Sequence, residues 1–542
     1  MADQHGKLSW WRGGVIYQVY PRSFFDSNGD GIGDLAGITQ KLDYIKSLGV
    51  DGVWLSPFFT SPMADFGYDV ADYCNVDPIF GTLDDFDTML AEMHKRGIKL
   101  IIDVVMNHSS IQHPWFQQSR QSRDNPKSDW YVWASPKEDG GAPNNWLSVF
   151  GGPAWSYDTK RGQYYLHQFL KEQPDLNVRN PEVQDALLDV LKWWLERGVD
   201  GFRLDVLNHC IQDDQLRDNP PNPNIDRATA GKDRNDHPYY WQSHVYDRTR
   251  PENLAFVERL RALTDQYDDR MMVAEIYDDD PAGTSAAYTH GDGRVHTAYN
   301  FALIQDHVFS PAAMREIITG YQSYKDSWPA WAFSNHDMRR TATRWAADGR
   351  HASLEQIKMM QALLLSLRGT IFMFEGEELG LPEADVPFER LQDPYGIFLW
   401  PEDKGRDGCR TPMPWQSNAV HAGFSTARDS WLPVPAEHQL LAVDAQEADP
   451  QAALHTARRL IAWRKNNPEL RLAGMDFIDG LPETVLGFTR GGIACYFNLS
   501  EHPQSMQVGA GYRTAALEDI TGMYKDTTLE LPAWGWWMAH KA

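Results

Sequence analysis

Three acidic residues of this chain each stand where a short apolar run ends and polar sequence begins. Asp205 closes a Gly-Phe-Arg-Leu-Asp run, Glu275 closes Met-Met-Val-Ala-Glu, and Asp337 closes Phe-Ser-Asn-His-Asp. In a barrel of parallel strands, the carboxyl ends of different strands converge on one cup, so residues far apart in sequence become neighbours. The repeated position therefore predicts a barrel in which three carboxyl groups share one site.

Strand-like and helix-like segments alternate through the first part of the chain. Apolar residues recur at helical spacing from Leu35 to Leu48, where Gly49 offers a C-cap. Apolar runs predict strands at 15–20, 53–55 and 100–105, with a further helix at 86–96. Strand–helix–strand order implies parallel pairing with right-handed crossovers, so we predict an α/β chain built on a TIM (β/α)8 barrel.

After the third strand the pattern changes. Residues 106–175 are rich in Trp, Pro, Gly and Asn and lack long helical periodicity, which predicts an irregular insertion. The remaining barrel elements are predicted as a helix at 181–197 and strands near 201–206, 271–276, 298–302, 331–335 and 371–374. A helix at 454–465 precedes alternating segments from about residue 470, which predict a small antiparallel β domain.

The predicted organisation has three domains. Domain A, the barrel, comprises residues 1–105 and 176–468, domain B is the insertion 106–175, and domain C is 469–542. The segment 212–251 is too long for an ordinary loop, so we expect it to wall the cup.

Charge and composition narrow the classes of ligand. The 75 acidic and 51 basic residues give a formal net charge of −24, which argues against nucleic acid as a partner. The four cysteines lie far apart, without the tight spacing that closes around zinc, and predict free thiols. The amino terminus does not resemble a secretion signal, and no apolar run is long enough to span a membrane. We therefore expect a cytoplasmic protein, monomeric or homodimeric, without an organic cofactor.

Two carboxyl groups in different surroundings suggest acid/base and nucleophilic chemistry on a sugar. Arg203 and Asp205 are two apart on a strand and point to the same side, so the guanidinium is expected to keep Asp205 ionised. Glu275 follows four apolar residues, which predicts a raised pKa and a protonated general acid. Together they suit a glycosidase.

Four ordered segments resemble the signatures of the α-amylase family, glycoside hydrolase family 13. They are the Asp-Val-Val-Met-Asn-His run ending at His108, the run ending at Asp205, Ala274–Glu275, and the Ser-Asn-His-Asp run ending at Asp337. The Gln-Pro-Asp-Leu-Asn run from Gln173 is similar to a segment of the oligo-1,6-glucosidase and α-glucosidase branch. This resemblance covers nearly the whole chain and implies domains A, B and C in the arrangement described above.

The resemblance also implies a role for each motif residue. Asp205 would be the nucleophile that forms a covalent β-glucosyl intermediate, and Glu275 the acid that protonates the leaving oxygen and later activates water. Asp337 would bind the sugar 2- and 3-hydroxyls, with His108 and His336 on the same glucosyl unit. A retaining mechanism of this kind requires carboxyl groups about 5–5.5 Å apart.

Further residues match a pocket that recognises the non-reducing end. In the branch resembled, an Asp and an Arg pair over the terminal 4-hydroxyl, and Asp65 and Arg406 occupy those motif positions. Tyr68 would offer a stacking face for the first glucose. Other candidates for the substrate site are Arg203, Phe150, Phe169, Phe301 and Glu377, the last near the leaving sugar or as a rim charge.

One loop near the amino terminus has the spacing of a cation site. Asp26, Asn28, Asp30 and Asp34 fall at positions 1, 3, 5 and 9 of a hard-cation loop, but Gly at position 12 departs from the EF-hand. The branch resembled places Ca²⁺ or Mg²⁺ here, with the carbonyl of Ile32 as a further ligand. We therefore predict a structural metal ion.

The sequence does not decide which glycosidic linkage is cleaved. Val206, directly after the nucleophile, resembles members that accept α-1,6 bonds, but the sequence after Glu275 lacks the Pro-Gly typical of oligo-1,6-glucosidases. We expect an exo-acting α-glucosidase on short malto- or isomalto-oligosaccharides, with sucrose a further candidate and transglucosylation a side reaction. The alternatives are an oligo-1,6-glucosidase, a glucosyltransferase or sucrose isomerase on the same scaffold, and a non-catalytic transporter heavy chain. The last is disfavoured because the chain keeps the full carboxylate set.

Overall fold

A computed structural model describes residues 9–223, 237–305 and 308–541. Eight parallel strands close into a barrel in the order β1-β8-β7-β6-β5-β4-β3-β2, which confirms the predicted fold class. The strands are β1 (Val15–Val19), β2 (Gly52–Leu55), β3 (Lys99–Val105), β4 (Gly201–Asp205), β5 (Met271–Ile276), β6 (Thr297–Asn300), β7 (Pro329–Trp331) and β8 (Thr370–Phe374).

The inward face of the barrel changes from apolar to polar along the strands. Side chains two apart share a face, so on β5 the inward row runs from Met271 through Val273 to Glu275. Met271 and Val273 belong to an apolar cluster that fills the barrel interior with Trp54, Tyr299 and Phe372. The rows that contain Asp103 on β3 and Asp205 on β4 also reach an acidic residue toward the carboxyl end of the strand.

Helices surround the barrel and bury the outward row of strand residues in the main core. The helix Pro181–Arg197 shows the local signals clearly: Asn180 caps its first turn by accepting from the Glu182 N–H, and Gly198 ends it at φ +108°. The α-helices are Pro21–Phe24, Leu35–Gln40, Leu42–Leu48, Leu83–Lys95, Pro114–Ser119, Pro181–Arg197, Asn253–Thr264, Pro281–Thr289, Pro311–Gln322, Thr341–Arg344, Leu354–Ser366, Pro394–Leu399, Ala436–Leu440, Val443–Ala448, Ala453–Asn466 and Pro468–Leu472.

Two element predictions were wrong in detail. The apolar row from residue 35 to 48 forms two helices that meet at Lys41, although Gly49 does end the second in the left-handed conformation. The seventh strand occupies Pro329–Trp331 and the chain beyond it turns into the loop that carries Asp337, so the strand expected at 331–335 lies too late. There the short strand is followed by polar residues that bond locally: the Asp337 N–H donates to Asn335 Oδ1 at 3.0 Å.

Between β3 and β4 the chain leaves the barrel. It forms a three-stranded antiparallel sheet of Trp133–Ala134, Trp155–Asp158 and Gln163–Leu166, and a separate pair, Phe59–Thr60 with Asp72–Val76, lies after β2. Single turns of 3-10 helix occur at Leu207–His209, Pro238–Trp241, Phe388–Arg390 and Val420–Gly423. Of the long segment predicted to wall the cup, residues 224–236 lie outside the described residues.

The carboxyl-terminal part is antiparallel. Its five-stranded sheet follows the order Met475–Phe477, Val485–Arg490, Ile493–Asn498, Trp536–Lys541 and Tyr512–Thr514. A three-stranded sheet orders Gln504–Gln507, Thr528–Leu531 and Met523–Lys525. Among the helices of the described residues, none has the length and apolar character needed to cross a bilayer.

Candidate active site

The base of the cup is one buried guanidinium. Arg203, 1% exposed on β4, donates to Asp103 at 2.9 Å and to Asp205 beside it on the same strand. Its other terminal nitrogen lies 2.6 Å from Glu275 Oε2. Strands β3, β4 and β5 thus bring three carboxyl groups near their carboxyl ends to one cation.

The pKa of Asp205 differs from the sequence-based expectation. Burial raises the pKa of Asp205 well above its usual range; Arg203 opposes the rise, and the charge of Glu275 adds to it. Arg203 does favour the ionised form of Asp205, as the sequence predicted, but its guanidinium is shared among three carboxyl groups.

The residue after Asp205 has a strained backbone. Val206 adopts φ +34° and ψ +45°, a left-handed conformation that is unusual for a β-branched residue and costs on the order of 1–3 kcal/mol. In this conformation the Val206 N–H donates to Glu275 Oε2 at 3.1 Å. Glu275 is therefore held by a main-chain donor and by Arg203 on the same oxygen.

The third acid lies among cations. Asp337 Oδ1 accepts from Arg410 at 2.7 Å and from Arg406 at 3.3 Å, and its Oδ2 lies 3.2 Å from His336 Nε2. Burial tends to raise the pKa of Asp337, but His336, Arg410 and Arg406 outweigh it and hold this pKa well below its usual range. Asp337 is consequently a fixed anion at neutral pH.

Both predicted histidines are buried and neutral. His336 lies 2.5 Å from the Tyr68 hydroxyl through Nε2 and 2.7 Å from Gln18 through Nδ1. His108 Nε2 lies 3.1 Å from the Gln173 amide. Burial lowers the pKa of each histidine to about 3, so neither carries a proton beyond its neutral form at physiological pH.

One end of the cup is closed by an ion pair. Arg406 donates to Asp65 at 2.8 Å. Two of its side-chain nitrogens also donate to Asp393, at 3.0 and 2.7 Å. Gln173 donates to the other oxygen of Asp65 at 3.1 Å. Asp69 fixes this loop by accepting from the Asp65 N–H at 3.0 Å. The predicted pairing of Asp65 with Arg406 is thus present, strengthened by Asp393.

Of the four aromatic residues predicted for the substrate site, three line the cup and one belongs to the apolar barrel interior. The Tyr68 ring stacks on His336 with centroids 5.5 Å apart. Phe150 lies under the Arg406 guanidinium at 5.2 Å, and Phe169 packs 5.1 Å from the His108 ring, so these two share the closed end. Phe301 is 8% exposed and packs 6.0 Å from the Tyr299 ring, as the top of the apolar barrel interior.

Glu377 lies beside the last strand. Its Oε2 accepts from the Phe374 N–H at 3.1 Å, and it borders a cavity of about 20 Å³ with Ser334 and Gln361. Burial raises the pKa of Glu377 to about 8, partly offset by the Phe374 bond. Its carboxyl is thus mostly protonated at neutral pH, which differs from a charged residue on the rim.

The predicted metal loop folds back on itself. Asp26 accepts from the Gly29 N–H at 2.7 Å and the Gly31 N–H at 2.8 Å, Asn28 from Asp30, and Asp30 from Ile32. Asp34 caps the helix that begins at Leu35. Within the described ranges, no three His, Cys, Asp or Glu side chains converge as metal ligands. A cation here would depend on Asp26, Asn28 and Asp30 oxygens with the Ile32 carbonyl.

Similarity to known proteins agrees with this geometry. The family model for the α-amylase catalytic domain matches residues 18–473. The chain belongs to the α-amylase family. A probable alpha-glucosidase of Rhizobium meliloti (strain 1021) is 49% identical over 541 residues, covering 98% of this chain and 97% of the relative. An oligo-1,6-glucosidase of Parageobacillus thermoglucosidasius is 37% identical over 508 residues, 86% of each protein.

Solved structures of the same family match over nearly all of the chain. The α-glucosyl transfer enzyme XgtA superposes with a TM-score of 0.95 at 50% identity, covering 99% of this chain and 100% of its own. A mutant of the trehalulose synthase MutB gives a TM-score of 0.88 at 31% identity, covering 98% and 100%. The predicted membership of the glucosidase branch of the α-amylase family is therefore confirmed.

Sequence reasoning missed several members of this α-amylase family site. Asp393 binds Arg406, and Arg410 binds Asp337. Both residues lie in irregular sequence after β8, where no periodic pattern predicts their position. Gln173 and Gln18 supply amides to Asp65 and His336. The one signal in the sequence was the pair of arginines four apart at 406 and 410, next to acidic residues.

Proposed function

We propose that this α-amylase family member is a retaining, exo-acting α-glucosidase that releases glucose from the non-reducing end of short α-glucosides. The observation that carries the proposal is that the Asp205 and Glu275 carboxyl groups bind the two terminal nitrogens of one guanidinium, that of Arg203. Inverting enzymes separate their carboxyl groups by about 6.5–9.5 Å to admit a water between them and the sugar. Two carboxyl groups that bind one guanidinium lie closer together than that, which supports the retaining alternative.

The chemistry follows from the two carboxyl groups. Asp205 attacks the anomeric carbon as the glycosidic bond breaks, and Glu275 gives its proton to the leaving oxygen. Glu275, now a carboxylate, takes a proton from water, and the resulting oxygen displaces Asp205 to release α-glucose. Asp337, a fixed anion, would bind sugar hydroxyls, with neutral His336 and His108 as hydrogen-bonding partners.

The closed end supports exo action. The ion pair of Arg406 with Asp65, reinforced by Asp393 and Gln173, would stop the chain at one end of the cup and offer polar groups to the terminal hydroxyl of one glucose. We place malto- and isomalto-oligosaccharides among the substrates. Val206 borders the cleavage point and would bias the linkage by a hydrophobic difference of only about 1–3 kcal/mol.

Product stereochemistry tests the proposal. Proton NMR of fresh maltose digests is expected to show α-glucose first, and Asp205→Asn or Glu275→Gln is expected to lower kcat on a nitrophenyl α-glucoside or maltose by about 10⁴-fold or more. First appearance of β-glucose, or wild-type turnover by Asp205→Asn, contradicts it. Side-by-side rates on maltose, isomaltose, nigerose, kojibiose, sucrose and trehalose then assign the linkage.

A glucosyl transfer activity is the second candidate. Its support is the likeness to a solved α-glucosyl transfer enzyme at 50% identity and to a trehalulose synthase at 31%. Transfer and hydrolysis share the Asp205 intermediate and differ in whether a sugar hydroxyl or water attacks it. Product analysis at high sugar concentration separates the two, because a transferase gives new disaccharides in excess of free glucose.

Three further expectations complete the proposal. A Ca²⁺ or Mg²⁺ ion would bind at the loop 26–34 and stabilise its fold. The protein would work in the cytoplasm, in keeping with four cysteines that are all free, and as a monomer or homodimer. Cell fractionation and light scattering test the last two.

A further inference from the structure

The pairing of β4 with β5 stops just short of the two reacting carboxyl groups. The register runs from Met271 opposite Gly201 to Ala274 opposite Leu204. The next pair in this register would be Glu275 opposite Asp205, and main-chain pairing does not extend to it. Something other than the strand ladder must therefore fix the distance between the two carboxyl groups.

A buried side chain continues the pairing beyond this point. Asn208 Nδ2 donates to the Tyr277 carbonyl at 2.7 Å, and Asn208 Oδ1 accepts from the Tyr277 N–H at 3.4 Å. One side-chain amide thus makes both bonds that a neighbouring strand would make to Tyr277. Asn208 follows Asp205 by three residues, and Tyr277 follows Glu275 by two.

Asn208 also lies in the turn that holds Val206 in its left-handed conformation. The turn Leu207–His209 closes when the His209 N–H donates to the Val206 carbonyl at 2.8 Å. A β-branched residue leaves this conformation unless its surroundings hold it. In this conformation the Val206 N–H donates to Glu275 Oε2, 3.1 Å away.

We propose that Asn208 is a positioning residue for the acid/base function of Glu275. By joining the chain after Asp205 to the chain after Glu275, it holds the Val206 N–H on the Glu275 carboxyl and keeps that carboxyl oriented for proton transfer. Asn208 does not touch the substrate. The inference rests on the proposed function, since it concerns how that site transfers a proton.

Leaving groups of different basicity test this role. A glucose leaving group needs a proton from Glu275, whereas a nitrophenolate leaves without one, so a misplaced acid slows maltose more than 4-nitrophenyl α-glucoside. Asn208→Ala is expected to lower kcat/KM on maltose at least about 10-fold more than on the nitrophenyl substrate. Asn208→Asp, which keeps the size and the acceptor but loses the donor, is expected to change the ratio in the same direction.

The matched control is Asn498→Ala. Asn498 is equally buried and donates to two carbonyls, those of His502 and Pro532, but lies in the carboxyl-terminal sheet. It is expected to lower the melting temperature and leave the ratio of the two rates unchanged. An equal loss on both substrates in the Asn208 variants, or no loss, overturns the positioning role. If the unmodified enzyme cleaves neither substrate, it is the proposed function that fails.

Discussion

Each end of the barrel contains a fully buried arginine, but the two arginines bind different kinds of partner. At the carboxyl end, Arg203 lies among the carboxyl groups of Asp103, Asp205 and Glu275. At the other end, Arg464 donates to four main-chain carbonyls, those of Gly13, Leu365, Leu367 and Gly369. Both arginines are 1% exposed, so burial alone does not distinguish them.

The difference appears in the pKa of each guanidinium. Burial lowers the pKa of both, but at Arg203 the charges of Asp103 and Glu275 reverse the shift and raise it well above its usual range. At Arg464 burial is reinforced by the charge of Arg490, and the pKa falls well below its usual range. Carbonyl dipoles satisfy hydrogen bonds without supplying a counter-charge. One end of the barrel therefore concentrates charge for chemistry, and the other holds loops, the helix Ala453–Asn466 and the barrel together.

Replacing each arginine by methionine should separate activity from stability most strongly. Arg203→Met is expected to lower kcat on a nitrophenyl α-glucoside by about 10³-fold or more, because three carboxyl groups lose their shared cation. Arg464→Met is expected to keep near-normal kcat per folded molecule while losing about 3–5 kcal/mol of unfolding free energy, as buried carbonyls lose their donors. Urea unfolding and active-site titration measure the two effects.

A conservative pair sharpens that contrast. Arg464→Lys should recover part of the stability, since an ammonium can still donate to up to three of the carbonyls. Arg203→Lys should recover little activity, because a point charge cannot span the three carboxyl groups as the planar fork does. Similar activity losses at both ends would contradict the division proposed here.

Within the carboxyl end, the closed part of the cup should govern recognition of the terminal sugar. Arg406→Lys keeps the charge but loses the fork that reaches Asp65 and Asp393, and kcat/KM on maltose is expected to fall about 10²-fold. The unmodified enzyme should discriminate strongly against maltose that lacks the non-reducing 4-hydroxyl, and Arg406→Lys should lose most of that discrimination. Retained discrimination would place the recognition of this hydroxyl elsewhere.

The carboxyl end should also respond to pH through a residue behind the substrate site. Burial raises the pKa of Asp175 to about 7, despite bonds from Gln168 that oppose the rise. Because the pKa of Asp175 is higher in the folded than in the unfolded state, its contribution to the free energy of unfolding is greatest at low pH. This contribution is lost as the pH rises from about 4 to 7. Asp175→Asn cannot ionise, so its stability relative to the unmodified protein should improve by about 2 kcal/mol between pH 5 and pH 8.

Thermal unfolding at several pH values measures this trend, and any pH-independent cost of the new amide cancels in the comparison. A relative stability that is constant from pH 5 to pH 8 would show that Asp175 is ionised in the folded protein at both. Asp185→Asn serves as the control, because this carboxyl is exposed on the helix Pro181–Arg197.

The smallest expected effect concerns the loop 26–34, outside both ends of the barrel. If it binds a divalent cation, chelator should lower the melting temperature by about 2–4 °C. Asp30→Ala should remove the response to chelator, because Asp30 is one of the few side-chain oxygens available there. An unchanged melting curve together with no bound metal by elemental analysis would refute the metal prediction.

Periodic features of the sequence were sufficient for the barrel and for the motif residues at its strand ends. Asp205 and Glu275 could be placed because each ends an apolar run, and parallel strands bring such ends together. The pairing of Asp65 with Arg406 came from the family resemblance, since 341 residues separate them. Asp393, Arg410 and Asn208 could not be predicted, because irregular loops have no period from which to infer a neighbour.

The sequence by itself determined where the reacting charge is placed, since the inward rows of β4 and β5 end in Asp205 and Glu275. Only the tertiary structure decided what that charge does. It gave one guanidinium to three carboxyl groups, surrounded Asp337 with cations, and turned Val206 so that its N–H meets Glu275. The physical reason is that a pKa and a hydrogen-bond direction depend on every group within a few ångströms, and in a barrel those groups come from strands far apart along the chain.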